Sequence, residues 1–266
     1  MASDAKSKLG RRPLVTLSVV SHGSGSALQT LLESLAHHER ADSIQLIITD
    51  NLGSNLPDVG SSGWCEVNML RNERPQGYAR NHNAAFQSAE GEYFCVVNPD
   101  ARFIAPILDR LTQLLKAGVA DIVAPIIVDS EGRVQDSFRK LPTPLELIWR
   151  RTLGTGHALP VPRAEAVQPD WIAGIFLLMR RETFAKLGGF DTGYHLYFED
   201  VDFCTRARLM GLTPAVATSL RLLHDARRAS GRDALYLLWH LQSALRFFSS
   251  DVYRRARRSP RSEVAD

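Results

Sequence analysis

The sequence predicts an α/β fold with a mostly parallel β-sheet that is covered by helices. Short, largely β-branched runs recur through the first hundred positions, and segments with helical periodicity separate them. The order strand, helix, strand, strand, helix, strand is typical of a sheet built from crossover units. The length of 266 residues is sufficient for one large α/β domain or two small ones.

The first three elements have the clearest patterns. LVTLSVVS, residues 14–21, is the kind of continuous run expected for a strand buried on both faces. ALQTLLESLAHH, residues 27–38, places its leucines on one helix face, and Ser26 is a suitable N-cap. SIQLIITD, residues 43–50, predicts a second buried strand that ends at Asp50.

The next elements lead to another acidic residue at a strand end. CEVNML, residues 65–70, predicts a short strand. GYARNHNAAFQSAEG, residues 77–91, predicts a helix that Gly77 opens and Gly91 closes. EYFCVV, residues 92–97, predicts a fourth strand, and the triplet NPD follows it directly.

Asp50 and Asp100 therefore both follow predicted strands, at the sheet edge where open α/β sheets bind ligands. The GxGxxG motif of dinucleotide-binding enzymes and the phosphate-binding GxxxxGK(S/T) motif are absent. Acids at strand ends suit a ribose or a metal-bound phosphate better than a bare phosphate. Mg²⁺ or Mn²⁺ in turn suits one or two carboxylates plus diphosphate oxygens.

The second half adds further elements and a cluster of acids. Residues 121–128, 171–191 and 213–225 predict strands with a short helix, whereas residues 140–169, rich in Pro, Gly and Arg, predict a loop-rich insertion. In HLYFEDVDFCTRARLMG, residues 195–211, three carboxylates lie among aromatic residues. They are Glu199, Asp200 and Asp202. Taken alone, these groups are either catalytic or the solvated first turn of a helix.

Composition argues against several classes of function. The net charge of +3 is too small to imply nucleic acid by itself, and the first half of the chain has no basic stripe with interleaved aromatics. The three cysteines match no disulfide or metal spacing, which favours a reducing cytoplasm. The N-terminal residues lack the apolar segment of a secretory signal, and no apolar run approaches the roughly 20 residues of a membrane-spanning helix.

The ordered motifs resemble family 2 glycosyltransferases. The resemblance covers roughly residues 15–224 and rests on DNLGSN, on RNERPQGYARNHNAAFQSAEGEYFCVVNPD and on DWIAGIFLLMRRETFAKLGGFDTGYHLYFEDVDFCTRARLMG. The most similar subgroup is the rhamnosyltransferase-like enzymes of bacterial surface polysaccharide assembly. The resemblance implies a GT-A fold and a transfer, with inversion, from a nucleoside diphosphate sugar to a hydroxyl group of a glycan or lipid-linked glycan acceptor.

The resemblance also implies a division of the chain. Residues 1–12 would be a disordered basic tail, and residues 13–225 the transferase domain. Within that domain, residues 13–128 would bind the nucleotide sugar and residues 166–225 the acceptor. Residues 226–266 would form an amphipathic helix and a basic tail.

A set of donor-binding residues is implied in the same way. They are Ser21, Asp50, Gly77, Arg80, Asn98, Asp100 and Gly174. Asp100 and His224 match ligands of Mn²⁺ or Mg²⁺, while Asn98 departs from the two-acid DxD form common among relatives. Arg227 and Arg228 follow in a loop where they could stabilise the departing diphosphate or be ordinary surface charges.

Asp200 matches the base that deprotonates the acceptor. Glu199 is expected to orient the acceptor or brace Asp200, and Trp171 is expected on the acceptor side. Asp202 is expected to be a first-turn residue of a helix, favoured there by the helix dipole.

Several of these residues also have a purely structural interpretation. Asp50 could initiate a turn, Arg80 could lie on a solvated helix face, and Asp100 could cap a helix over residues 101–111. His224 could be a satisfied strand-end histidine. Gly174 could relieve crowding in a buried strand.

The C-terminal segment predicts a helix followed by arginines, within residues 233–259. Its apolar residues are expected largely on one face of that helix, and they are Leu235, Leu238, Trp239, Leu241, Leu245 and Phe248. Three interpretations are open: peripheral attachment at the inner face of the plasma membrane, packing on the acceptor half, and a homodimer contact. The expected location is therefore the cytoplasm, with or without membrane contact.

Two rival functions remain at this point. A sugar-nucleotide pyrophosphorylase should carry a glycine-rich loop with basic residues after the first strand, and SHGSGSALQ has glycines without basic side chains. A catalytically weakened relative that binds nucleotide sugar, or scaffolds an assembly, is consistent with the departures at SHG and NPD.

Overall fold

A computed structural model describes residues 12–53, 56–59, 63–153, 161, 164–224 and 234–259. Arg227, Arg228 and nearly all of the predicted N-terminal tail lie outside the described residues. The predicted division of the chain into two halves and two tails stays a prediction.

The predicted α/β fold with a central sheet is confirmed. The strands are β1 (Val15–Ser21), β2 (Ile44–Asp50), β3 (Glu66–Arg71), β4 (Tyr93–Val97), β5 (Ala101–Phe103), β6 (Ile122–Val128), β7 (Phe138–Arg139), β8 (Ala166–Val167), β9 (Trp171–Ile172), β10 (Phe176–Arg180) and β11 (Pro214–His224). The main sheet has the order β3-β2-β1-β4-β10-β6-β11-β5, β8 pairs with β11, and β7 pairs with β9 separately.

The sheet is parallel from β3 to β4, and β10 then inserts antiparallel between β4 and β6. This insertion brings the segment before β10 to the same edge as the carboxyl ends of β1, β2 and β4. The two halves expected from the resemblance thus share one sheet, and a cleft forms where they meet.

Helices cover the sheet and extend beyond it. They are α1 (Gly25–His38), α2 (Tyr78–Phe86), α3 (Leu108–Lys116), α4 (Pro144–Leu153), α5 (Arg181–Lys186), α6 (Glu199–Leu209), α7 (Ala234–Ser249) and α8 (Asp251–Arg258). α1 buries the leucines predicted to face the core, although it begins at Gly25 rather than after Ser26. None of the helices in the described ranges combines the length and apolarity needed to cross a bilayer.

Three local expectations were wrong. α2 ends at Phe86, well before Gly91. The residues after Asp100 form β5 instead of a helix, so Asp100 is not a helix cap. The loop-rich insertion contains α4, whose Pro144 occupies the first helical position, where the missing N–H costs nothing.

α7 packs on the domain through one face and exposes another. Phe247 is fully buried beside Phe198, with ring centroids 5.6 Å apart, which supports the packing interpretation of this helix. Leu238, Leu241 and Leu245 project from the opposite side, and Leu245 is 71% exposed. The apolar residues of the segment therefore divide between two faces, so packing on the domain leaves an apolar surface for a second role.

Candidate active site

A cleft of about 490 Å³ opens at the carboxyl end of the parallel strands. The predicted donor-binding residues that line it are Gly77, Asn98, Asp100 and Gly174. Glu199 and Asp200 form part of its wall. The strand ends and the start of α6 therefore bring together residues that are more than a hundred positions apart in the sequence.

The chain enters α6 through a strained loop. Tyr197 and Phe198 have φ angles of 70° and 67°, in the left-handed region that residues with a Cβ seldom adopt. Each such residue costs about 1–3 kcal/mol and persists only where its surroundings enforce it. Packing of Phe198 against α7 supplies that enforcement, and the loop turns Glu199 and Asp200 toward the cleft.

Backbone amides fix the Asp200 carboxylate. Its Oδ2 accepts a hydrogen bond from Gly174 N at 2.9 Å, and its Oδ1 accepts one from Val201 N at 2.8 Å. Tyr78 in turn donates its hydroxyl to Gly174 O at 2.5 Å. A Cβ on Gly174 would lie 2.7 Å from that hydroxyl, so this close approach requires glycine.

Glu199 and Asp200 have different electrostatic surroundings. Burial, and then the charge of Asp200, raise the pKa of Glu199 well above its usual value of 4.5, and its Oε2 is buried without a hydrogen-bond partner. Burial also raises the pKa of Asp200, but hydrogen bonds from Gly174 and Val201 favour its ionised form. Asp200 therefore ionises first, and Glu199 ionises at a higher pH than Asp200.

A second cleft of about 360 Å³ adjoins the first. Trp171, Lys140 and His240 line it, and Glu199 and Asp200 are common to both clefts. Trp171 is held in place because its Nε1 donates to Lys140 O at 3.1 Å. Asp200 thus lies between two spaces, each of which is large enough for a small molecule or part of one.

Asp100 and His224 meet under the first cleft. His224 Nε2 is buried, lies 3.1 Å from Asp100 Oδ1 and makes no hydrogen bond of good geometry. Gln135 steadies the imidazole, since its Oε1 lies 3.3 Å from Nδ1 and its Nε2 donates to the His224 carbonyl at 2.5 Å. Nε2 is therefore the ring nitrogen that faces Asp100.

These two side chains fit a divalent cation. Adjacent ligands at about 2.1 Å from one octahedral ion lie about 3 Å apart, close to the observed spacing. Across the described residues, no group of three His, Cys, Asp or Glu side chains converges on one point. The pair is therefore suited to an ion that takes its remaining ligands from a diphosphate and water, as Mg²⁺ or Mn²⁺ does.

An amide network that was not predicted from the sequence lies at the other end of the first cleft. Asn51 Oδ1 accepts from Asn72 Nδ2 at 2.7 Å and from Gln76 N at 2.8 Å, and Asn51 Nδ2 lies 2.9 Å from His22 Nδ1. Asn72 Nδ2 also donates to Asn81 Oδ1 at 2.7 Å. The position of Asn51 directly after a predicted strand was the one available signal.

The same network sets the loop that ends at Gly77. Gly77 is packed so closely that a Cβ there would lie 2.5 Å from His195 O, and the next amide, Tyr78 N, donates to that oxygen at 3.1 Å. Glycine is required at position 77 because the loop that ends there is in direct contact with the loop leading to α6.

Three predicted donor-binding residues lie outside the cleft lining. Ser21 and Asp50 are buried at their strand ends, and Asp50 Oδ2 lies 3.4 Å from Arg71 Nε. Arg80 is exposed, because α2 turns its Asn81 and His82 side toward the interior. The solvated-face interpretation therefore describes Arg80, and the expectation that it closes over the nucleotide is not supported.

Asp202 has the structural role expected from its place in the first turn of α6. Its Oδ2 accepts from Arg206 Nε at 2.6 Å, one helical turn further on. Arg206 also donates to the carbonyls of Leu187 and Gly189. The three acids of the motif therefore separate into a structural ion pair and two groups at the cleft.

Solved structures with a similar fold are glycosyltransferases. GalNAc-T7 with UDP, GalNAc and Mn²⁺ superposes with a TM-score of 0.66 at 17% identity over 92% of this chain, which spans 49% of that protein. The mannosyltransferase PcManGT from Pyrobaculum calidifontis, in complex with GDP-Man and Mn²⁺, gives 0.60 at 17% identity over 95% of this chain and 66% of that one. These likenesses confirm the GT-A fold.

Curated relatives match most of the sequence. The rhamnosyltransferase WbbL of Escherichia coli K12 is 26% identical over 89% of this chain and 93% of its own length. The N-acetylglucosaminyl-diphospho-decaprenol L-rhamnosyltransferase of Mycobacterium tuberculosis is 27% identical over 86% of this chain and 82% of its own length. The family model described as Glycosyl transferase family 2 matches residues 16–202, and the chain therefore belongs to that family.

Proposed function

We propose that the protein is an inverting glycosyltransferase that moves a sugar, rhamnose in the first instance, from a nucleoside diphosphate donor to a glycan or lipid-linked glycan acceptor in cell-surface polysaccharide synthesis. The observation that carries the proposal is the position of Asp200, which borders both clefts and is oriented by two backbone amides. The names of the curated relatives support rhamnose as the sugar.

In the proposed reaction, Asp200 accepts the proton of an acceptor hydroxyl that enters from the second cleft. The oxygen then forms a bond to the anomeric carbon of the donor while the bond from that carbon to the diphosphate breaks, which inverts the configuration. Glu199, neutral beside Asp200, orients the acceptor by a hydrogen bond, and Trp171 supplies an apolar surface for it.

Asp100 and His224 are the residues proposed to hold Mn²⁺ or Mg²⁺, with Asn98 alongside Asp100. A bound cation would neutralise the negative charge that develops on the departing diphosphate. In this proposal, the loop that ends at Gly77 binds the donor, and the amide network around Asn51 holds that loop in position. The buried Ser21 and Asp50 support the strand ends next to this loop.

A thermal-shift screen of dTDP-, UDP- and GDP-sugars, with and without Mn²⁺, tests the proposed function. A ligand that binds the folded state raises the apparent unfolding temperature by mass action, so the correct donor should give the largest shift and should need the metal. Release of nucleoside diphosphate on addition of acceptor should follow. A protein that binds a sugar nucleotide but never releases the diphosphate would instead be the catalytically weakened relative.

We also propose that the exposed leucine face of α7 contacts the anionic inner leaflet, where a lipid-linked acceptor would lie. Exposed arginines on α8, among them Arg254, Arg255 and Arg258, would add attraction to anionic lipids. The Leu241→Glu and Leu245→Glu double variant should lose co-sedimentation with phosphatidylglycerol-containing vesicles, whereas Gln113→Glu, at an exposed position of α3, should lose much less. Equal binding by both variants would exclude this contact.

A further inference from the structure

The first cleft is lined partly by residues that lie beyond the matched family region. The family model ends at residue 202, whereas Tyr236 and Trp239 of α7 line the cleft together with the strand-end residues. α7 is therefore part of this cleft as well as a packed and partly exposed helix. The wall that it adds lies outside the residues that the family model matches.

The wall is an aromatic cluster. The Trp239 ring lies 4.5 Å from the His195 ring, centroid to centroid, and 5.2 Å from the Tyr236 ring in an edge-to-face arrangement. His195 O accepts from Tyr78 N, whose own side chain reaches Gly174 beside Asp200. A continuous set of contacts thus connects Trp239 with the Asp200 carboxylate.

The helix that carries this wall is fixed to the loop before α6. Ser243, itself buried, donates its hydroxyl to Leu196 O at 2.8 Å. Arg246 pairs with Asp191 at 2.7 Å and lies over the Tyr194 ring. These contacts fix α7 beside the cleft, and the His195 and Tyr236 rings contact the Trp239 ring itself. The aromatic wall is therefore a preformed surface.

The chemistry of the wall selects the part of the donor that it can contact. A diphosphate is bound best by cations or by several convergent backbone amides, whereas this wall presents mainly the faces and edges of aromatic rings. His22 and Asn51, at the strand-end side of the cleft, offer the hydrogen-bonding groups that suit a base and ribose. The C–H face of a pyranose ring is apolar and stacks on aromatic surfaces.

We propose that Trp239, supported by Tyr236 and His195, binds the sugar ring of the donor and determines which sugar is transferred. This inference rests on the proposed function, since it assumes that a sugar nucleotide occupies the first cleft. The residues concerned are specificity determinants that contact the substrate, and Asp200 remains the base.

Calorimetric titration of dTDP-rhamnose and of dTDP into the full-length protein with Mn²⁺ tests the inference. If the screen identifies another donor, that sugar nucleotide and its nucleoside diphosphate are used instead. Trp239→Ala should weaken binding of dTDP-rhamnose about tenfold and should change the affinity for dTDP by no more than about twofold, because only the sugar ring loses a contact. Trp239→Phe should retain most of the affinity. Gln242→Ala, on the exposed side of α7, is the matched control and should bind both ligands as wild type does.

The outcomes are distinct. Unchanged affinity of Trp239→Ala for the sugar nucleotide, or an equal loss for both ligands, would overturn the assignment of the wall to the sugar. If Trp239→Ala does not unfold cooperatively, Tyr236→Ala carries the same expectation, with a smaller loss of about threefold. Failure of the wild-type protein to bind any sugar nucleotide would instead contradict the proposed function itself.

Discussion

Asp200→Asn is expected to abolish glycosyl transfer while leaving binding of the sugar nucleotide nearly unchanged. The amide cannot accept the acceptor proton, and the loss of a general base lowers the rate by about 10²–10⁴-fold. In the variant, the remaining side-chain oxygen can accept a hydrogen bond from one of the two backbone amides, Gly174 N or Val201 N. The other hydrogen bond is lost, which lowers the folding stability by about 1 kcal/mol. Folding should therefore survive, and single-turnover assays beside calorimetric donor titrations would measure the two effects separately.

Glu199→Gln is the matched control for this prediction. Because burial and the Asp200 charge raise the pKa of Glu199 and so favour its neutral form, the neutral amide resembles that form, and transfer should fall by no more than about tenfold. Burial raises the pKa of Glu199, so the wild-type protein loses stability as pH rises from about 4.5 through that raised pKa. The Gln variant has no such loss, and denaturation at pH 8 should find it at least as stable as wild type.

The pH profile provides an independent check. Burial raises the pKa of Asp200, so activity should decline with acidification at a higher pH than for an ordinary aspartate, whose pKa is 3.8. Glu199→Gln should keep this acidic limb because Asp200 is still present. If Asp200→Asn retains transfer, or Glu199→Gln removes the limb, the roles of the two carboxyls are assigned incorrectly.

The parts of the site that were predictable lie in short contiguous motifs. Asn98 and Asp100 follow β4 directly, and Glu199 and Asp200 start a helix, so local patterns and the family resemblance were enough to place them at one sheet edge. Asp202 was likewise predictable as a first-turn residue because helix dipoles favour acids there. The central sheet followed from runs that are buried on both faces.

The parts that were missed depend on contacts between distant segments. The bonds that join Asn51, Asn72 and Asn81 have no periodic signature, because each asparagine lies in a different loop or helix. Arg80 shows the opposite case, since its motif predicted a place in the site whereas α2 exposes this residue to solvent. The two faces of α7 could not be separated without knowing that Phe198 would cover one of them.

His224→Ala and Asp100→Ala are each expected to weaken metal-dependent donor binding by at least about 100-fold. Substitution of a residue that only orients a metal-binding side chain lowers metal affinity about 10–100-fold. Removal of one of two metal-binding side chains should lower it at least as much. With two protein ligands, Mn²⁺ alone should bind weakly and should bind far more tightly when the nucleoside diphosphate is present. Titration of Mn²⁺ with and without nucleoside diphosphate, followed by calorimetry, would measure both effects.

Gln135→Ala separates ligation from simple packing in this prediction. Gln135 touches His224 through its Nδ1 and its carbonyl and is not itself a proposed ligand, so its removal should weaken Mn²⁺ binding by about tenfold and leave metal-free stability largely intact. A wild-type protein that transfers sugar at full rate in EDTA would contradict the metal site. Equal Mn²⁺ affinity in His224→Ala and wild type would exclude the histidine as a ligand. If Asp100→Ala alone weakened Mn²⁺ binding, Asp100 would bind the cation without the histidine.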